Sequence, residues 1–191
     1  GGTGTDIITL SNVANNVLIS SIESLVGGTA KDIITLTNLG NTLTVSSVES
    51  LIGGTGTDIV TLYNSGTTVV VSLIESLTGG TGTDVVALGN AGNSISVTLV
   101  ERVLGGSATD VVTLTSFGNT LTISALECLV GGTGTDIITL GNSANTTAMS
   151  GVESLTGGAG VDVVNLLNTG TTITVTRIES LSGGTGTDVI T

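Results

Sequence analysis

Gly1-Gly2-Thr3-Gly4-Thr5-Asp6-Ile7-Ile8-Thr9-Leu10 opens this chain, and the same ten residues return with small changes every 26 residues. Copies begin at Gly1, Gly27, Gly53, Gly79, Gly105, Gly131, Gly157 and Gly183. The array therefore reads as seven full repeats (1–26, 27–52, 53–78, 79–104, 105–130, 131–156 and 157–182) and a partial eighth (183–191), with no insertion or deletion. A strict period of this length marks a solenoid, in which each unit buries its apolar face by stacking on the last. Residues 1–191 are thus expected to form one repeat array, an excerpt of a longer one.

The second copy, Gly27 to Ile52, serves as the type. Asp32-Ile33-Ile34-Thr35-Leu36 is β-branched and extended, and Asn38, Gly40 and Asn41 form a turn cluster. Thr42-Leu43-Thr44-Val45-Ser46 alternates polar and apolar residues, as a half-buried strand does. Val48-Glu49-Ser50-Leu51 reads as a third short strand, and Gly53-Gly54 closes the unit. The expectation is an all-β fold, a parallel β-solenoid of β-helix or β-roll type. It would have about seven 26-residue coils of three short strands, each strand pairing with its own copy one coil away.

Two columns should point inward together: the leucines from Leu10 to Leu166, and Ile8, Ile34, Val60, Val86, Val112, Ile138 and Val164 two residues before them. Leu43 and Val45, with Val48 and Leu51, complete each layer. The sixth copy is the weak layer, with Thr147 and Met149 in place of the usual aliphatic pair. By the same alternation Ile7, Ile33, Ile59, Val85, Val111, Ile137 and Val163 face out, either as an apolar contact stripe or simply as good strand formers on an outer face.

Composition narrows the function. The chain is 39% apolar, with 30 Gly, no Pro, no Trp, one Phe and one Tyr, and thin aliphatic layers need no large rings. A net charge of −12, with Lys31, Arg102 and Arg177 as its only bases, argues against nucleic acid and anionic membrane surfaces. No apolar run is long enough for membrane insertion. The single Cys128 excludes a disulfide framework. There is no His and no nucleophile beside a base, so no enzyme is expected.

All 15 acids fall in two columns of the repeat. The first is Asp6, Asp32, Asp58, Asp84, Asp110, Asp136, Asp162 and Asp188. The second is Glu23, Glu49, Glu75, Glu101, Glu127, Glu153 and Glu179. Carboxylates stacked about 4.8 Å apart would repel by roughly 3.5 kcal/mol at an effective dielectric near 20, which calls for neutralisation. Six of the eight glycine corners read Gly-Gly-x-Gly-x-Asp. A carboxylate beside turned backbone carbonyls offers the hard oxygen ligands that calcium prefers.

Gly1 to Thr9 fits all nine positions of G-G-x-G-x-D-x-U-x, and on these residues the chain resembles the repeats-in-toxin (RTX) family of calcium-loaded parallel β-rolls. The resemblance covers nine residues of each 26, once per repeat where that family carries the motif twice per coil. It departs at Ala30 and Ala108, and at Lys31 beside Asp32. It implies Ca²⁺ held by the eight aspartates and by loop carbonyls around Gly1, Thr3, Gly27, Gly53, Gly79 and Gly131. The glutamates would lie beside the same corners, either as direct or outer oxygen ligands or as a solvated ladder. The Asn12, Asn38, Asn64, Asn90, Asn142 and Asn168 column, with Ser116 as its exception, reads as an amide ladder at a turn.

The expected function is a Ca²⁺-stabilised structural rod of an extracellular or cell-surface adhesin, surface-layer or filament protein. It would self-associate end-to-end or laterally, with a surface, glycan or ice target. An alternative is an ice- or mineral-binding face built on the outward pairs Thr42 and Thr44, Thr120 and Thr122, and Thr172 and Thr174. Another is the calcium-binding secretion domain of a larger toxin or hydrolase.

Overall fold

The structure, a computed structural model, describes residues 1–63, 65–115 and 117–191. It is a parallel β-solenoid of two facing sheets, each 11 strands long. Sheet I begins with the strands Ile7–Thr9, Ser24–Val26, Thr42–Ser46 and Ile59–Leu62. Sheet II begins with Asn16–Ile19, Ile33–Leu36, Ser50–Ile52 and Thr68–Ser72. Consecutive strands alternate between the sheets, so one coil is two strands and two corners.

The class agrees with the sequence and the coil does not. Each repeat supplies three strands, as in Ile33–Leu36, Thr42–Ser46 and Ser50–Ile52. Three strands in a two-strand coil make a coil and a half. No strand therefore pairs with its own copy: Thr44 lies beside Thr61, 17 residues on, and beside Ser24, 20 residues back. The expected seven coils become 11, and at about 4.8 Å per coil the rod lengthens from about 34 Å to about 53 Å. Successive repeats also face opposite ways. The strand Ile33–Leu36 is in sheet II, and its copy Ile59–Leu62 is in sheet I.

The inward columns are as read. Ile34, Val60, Val86, Val112, Ile138 and Val164 are all fully buried, and Leu51 lies beside Ile34 and Leu43 beside Val60 on neighbouring strands. Val48 lies at a corner rather than within a strand, yet it is buried too. In the sixth repeat both Thr147 and Met149 are buried, and the Thr147 hydroxyl donates to the Ala148 carbonyl at 3.3 Å. Ile7, Ile59 and Ile137 do face solvent, but the expected isoleucine stripe is absent. Half-coil alternation sends successive members to opposite sheets, and within a sheet Ile59 stands between Thr42 and Ser76. The threonine pairs are split likewise, Thr42 and Thr44 onto sheet I and the other two pairs onto sheet II.

Close approach of coils explains the first glycine of each motif. At Gly79 an added Cβ would run into the Leu99 carbonyl oxygen of the adjoining coil, and at Gly53 into that of Leu73. Leu73 and Leu99 themselves turn the chain with left-handed backbone, φ 54° and 53°. Ser21, Ser47, Ala125, Gly151 and Arg177 do the same at equivalent positions.

Gly79→Ala should therefore cost roughly 3 kcal/mol or more, because backbone rather than a movable side chain blocks the methyl. Gly2→Ala, whose Cβ meets open space, should change stability by less than about 0.5 kcal/mol. Urea unfolding of the two variants checks both values.

Candidate functional site

Three kinds of corner separate the strands of a repeat. In the second repeat Asn41 precedes the strand Thr42–Ser46 and Glu49 precedes Ser50–Ile52; Asp58 then precedes Ile59–Leu62. Because a coil has two corners and a repeat three, each edge of the solenoid meets the three kinds in rotation. One edge runs Asn15, Asp32, Glu49, then Thr67, Asp84, Glu101, and so on. The other begins Asp6, Glu23, then Asn41, Asp58, Glu75, then Asn93.

One unit of this edge shows the chemistry. The Asn41 backbone N–H and Nδ2 both donate to Oδ1 of Asp58, at 2.9 and 2.8 Å, from one coil before it. Gly54 N–H, in the glycine loop itself, donates to the other oxygen, Oδ2, at 3.0 Å. The Asp58 backbone N–H donates in turn to Oε2 of Glu75, one coil after it, at 2.7 Å. The Asp58 carbonyl accepts the N–H groups of Glu75 and Ser76 at 3.2 and 3.1 Å. Leu73 N–H, from the glutamate corner, then donates to Oδ1 of Asn93 at 3.2 Å and links to the next unit. Side-chain and backbone groups thus form a continuous hydrogen-bonded line down the edge.

The geometry changes the meaning of the acidic columns. Asp32, Asp58, Asp84, Asp110, Asp136 and Asp162 are fully buried, while the terminal Asp6 and Asp188 are half-buried. Aspartates are not stacked on aspartates, as the repulsion argument assumed. Between Asp32 and Asp84 on the same edge stand Glu49 and Thr67. Each buried carboxylate faces N–H donors, three at five of the six and two at Asp84, and these hydrogen bonds to ionised oxygens stabilise the charge. At Asp32 the Asn15 side chain, then the Gly28 backbone N–H, hold the carboxyl below its ordinary range against the opposing effect of burial.

The same donor set tests the calcium reading. Calcium needs several oxygens turned toward one point. Here the glycine loops turn N–H groups toward the aspartates: Gly28, Gly54, Gly80, Gly106, Gly132, Gly158 and Gly184 each donate to Oδ2. Among the described residues no group of three or more His, Cys, Asp or Glu side chains converges. These corners, as arranged, turn N–H donors toward both carboxylate oxygens of the aspartate.

Other expected residues fall as follows. Glu49 does lie beside the Asp32 corner, where its Oε2 accepts the Asp32 N–H at 2.8 Å. In the expected amide column Asn64 and Ser116 lie outside the described residues, and Asn168 accepts from Thr185 N–H at 3.2 Å. Arg177 donates to the Gly158 carbonyl at 3.2 Å. Cys128 sits half-buried on sheet I, where burial pushes its thiol pKa up. The column that organises the edge is instead Asn15, Asn41, Thr67, Asn93, Asn119, Asn145 and Thr171, which reads in sequence only as turn formers. Its signal was available: Asn15 to Asp32 and Asp32 to Glu49 are both 17 residues.

Fold and corners together define a β-solenoid repeat protein. Compared with known proteins, the chain matches no family model, no curated protein and no solved structure. The likeness to RTX repeats rests on the nine-residue motif alone.

Asn93→Asp tests the edge. It replaces an Nδ2 donor 2.8 Å from Asp110 with a second carboxylate oxygen, and removes bonds to the Gly89 and Ala91 carbonyls. The expected cost at pH 7 is about 3 kcal/mol. Asn12→Asp, in the exposed column, should cost less than about 0.5 kcal/mol. Urea midpoints of the two variants at pH 7 measure this.

Proposed function

We propose that this chain is a non-enzymatic structural module, a stiff rod segment of an extracellular or cell-surface adhesin, surface-layer or filament protein that associates with copies of itself. The observation that carries the reading is the edge hydrogen-bond line, which repeats through the array and uses its functional-looking carboxylates as N–H acceptors. A group committed to three donors in a buried corner serves the backbone rather than a substrate. The two sheets give such a rod stiffness along its axis, since every coil is hydrogen-bonded to the next through both.

Calcium is the implication of the RTX resemblance, and in this reading it has no part in closing the coil. The N–H donors already offset the charge that a cation would have been needed to neutralise. Secretion into calcium-rich surroundings would then be compatible with folding without being its trigger.

A second reading, an ice- or mineral-binding surface, draws support from one feature. Thr44, Thr61, Thr78 and Thr98 form an axial row on sheet I, and Thr122, Thr139, Thr156 and Thr176 form another on sheet II. Hydroxyls about 4.8 Å apart on a flat face are a plausible template for ordered water.

Far-UV circular dichroism in EDTA, followed by calcium with magnesium as control, tests the first reading. The expected result is full strand signal in EDTA and no calcium-specific shift of the urea midpoint. A coil-to-strand transition that only calcium produces would overturn it and return the aspartates to the role of metal ligands.

A further inference from the structure

The two sheet faces differ in one respect that the repeat does not dictate. Sheet I presents outward Ser, Thr, Val, Ile, Ala, Asn and Cys side chains, and no charge stands at any outward position of its 11 strands. Asp162, which opens one of those strands, is buried at its corner. Sheet II adds outward Leu18 and Leu104, and Arg102 points outward near its middle, between Val85 and Thr122. The other charged residues, 15 acids with Lys31 and Arg177, lie on the two edges and corners.

We propose that the outer face of sheet I packs against the same face of a second copy of this chain, as a closed two-fold pair, and that Arg102 prevents sheet II from doing likewise. This rests on the structural-rod reading and names the surface through which the rod associates. Three observations lead to it, beginning with area. Eleven strands about 4.8 Å apart, about 13 Å long on average, make a face on the order of 650 Å², at the lower end of what each partner contributes to a stable interface.

Shape is the second. Short, largely β-branched side chains on parallel strands give a regular relief, bounded near one end by the exposed Tyr63 beside Ser24 and Thr44, and such surfaces interdigitate as sheet-on-sheet layers. The third is charge. Face-to-face packing at about 10 Å between sheets keeps the acidic edges of the two copies about 20 Å apart, beyond the Debye length of about 8 Å at physiological salt. Edge-to-edge association would instead press like-charged columns together. On sheet II the outward Arg102 guanidinium would have to be taken out of water in such a contact, which opposes it. A self-complementary face on one side only gives a dimer, and two such faces would give an open stack.

Analytical ultracentrifugation of the 191-residue chain at 10 to 200 µM, in 0.15 and 0.5 M NaCl, tests the pair, with small-angle scattering to read the shape. The expected species is a dimer of about twice 18.6 kDa, favoured by the higher salt. Ser96→Lys, at the middle strand of sheet I, should weaken it at least tenfold while leaving the strand circular dichroism unchanged. Arg102→Ser should produce species larger than the dimer. Slower alkylation of Cys128, which faces outward on sheet I, should follow dimer formation in the unsubstituted chain. A folded, rod-shaped monomer throughout the range would overturn the pairing and leave the rod itself standing. A monomer with thermal hysteresis would overturn it in favour of ordered water as the occupant. A dimer untouched by Ser96→Lys would place the interface elsewhere. A chain with no strand signal would instead sink the rod reading beneath it.

Discussion

The buried aspartate carboxylate is the constraint on which this solenoid depends. Each one draws an N–H from its own glycine loop and two donors from the asparagine corner of the coil before. Its backbone N–H reaches the glutamate of the coil after, so one residue ties three coils. A carboxylate left in that position without donors would be prohibitive to bury. The glycines follow from the same requirement, since only a chain without Cβ lets the loop fold back against the neighbouring carbonyl and still present its amide. Where Thr67 and Thr171 stand in place of asparagine, the backbone donor remains and the side-chain donor is lost, so those units are held by one bond fewer.

This arrangement also resolves an electrostatic difficulty. A chain with 15 acids and three bases in two strict columns would build long runs of like charge if each repeat were one coil. Advancing a coil and a half per repeat divides the acids between two edges and places an asparagine or threonine corner after every aspartate–glutamate pair. The remaining pairs are bridged by the aspartate N–H. Repulsion is reduced by topology and offset by hydrogen bonding, and both faces of the rod are left free of carboxylates.

Much of the fold was legible in the sequence. Alternation in Thr42-Leu43-Thr44-Val45-Ser46 assigned that strand residue for residue, and the columns of Ile34 and Leu36 were correctly placed inside. The coil was misjudged because a sequence period states how often the chemistry recurs, and says nothing about how many strands close a turn. Three strands fit one triangular coil or one and a half flattened ones. The choice is made by corners that hydrogen-bond at a spacing of 17, which a 26-residue alignment conceals. The candidate site was half legible. Asp and Glu stood out by their charge, whereas Asn15 and Asn41 were hidden among ordinary turn residues, and without them the carboxylates appeared to lack a counterpart. The step to stacked aspartates inherited the error in the coil.

The account stands on the coil and a half, and spin-label distances address it most directly. Labels at Thr35 and Thr61, in a Cys128→Ser background, mark the same position of successive repeats. They should lie on opposite faces, separated by more than about 20 Å across two sheets and their side chains. Labels at Thr44 and Thr61 should instead be adjacent on sheet I, with strong dipolar broadening. The reverse result, with Thr35 and Thr61 one strand spacing apart, would contradict the two-strand coil and every corner contact derived from it.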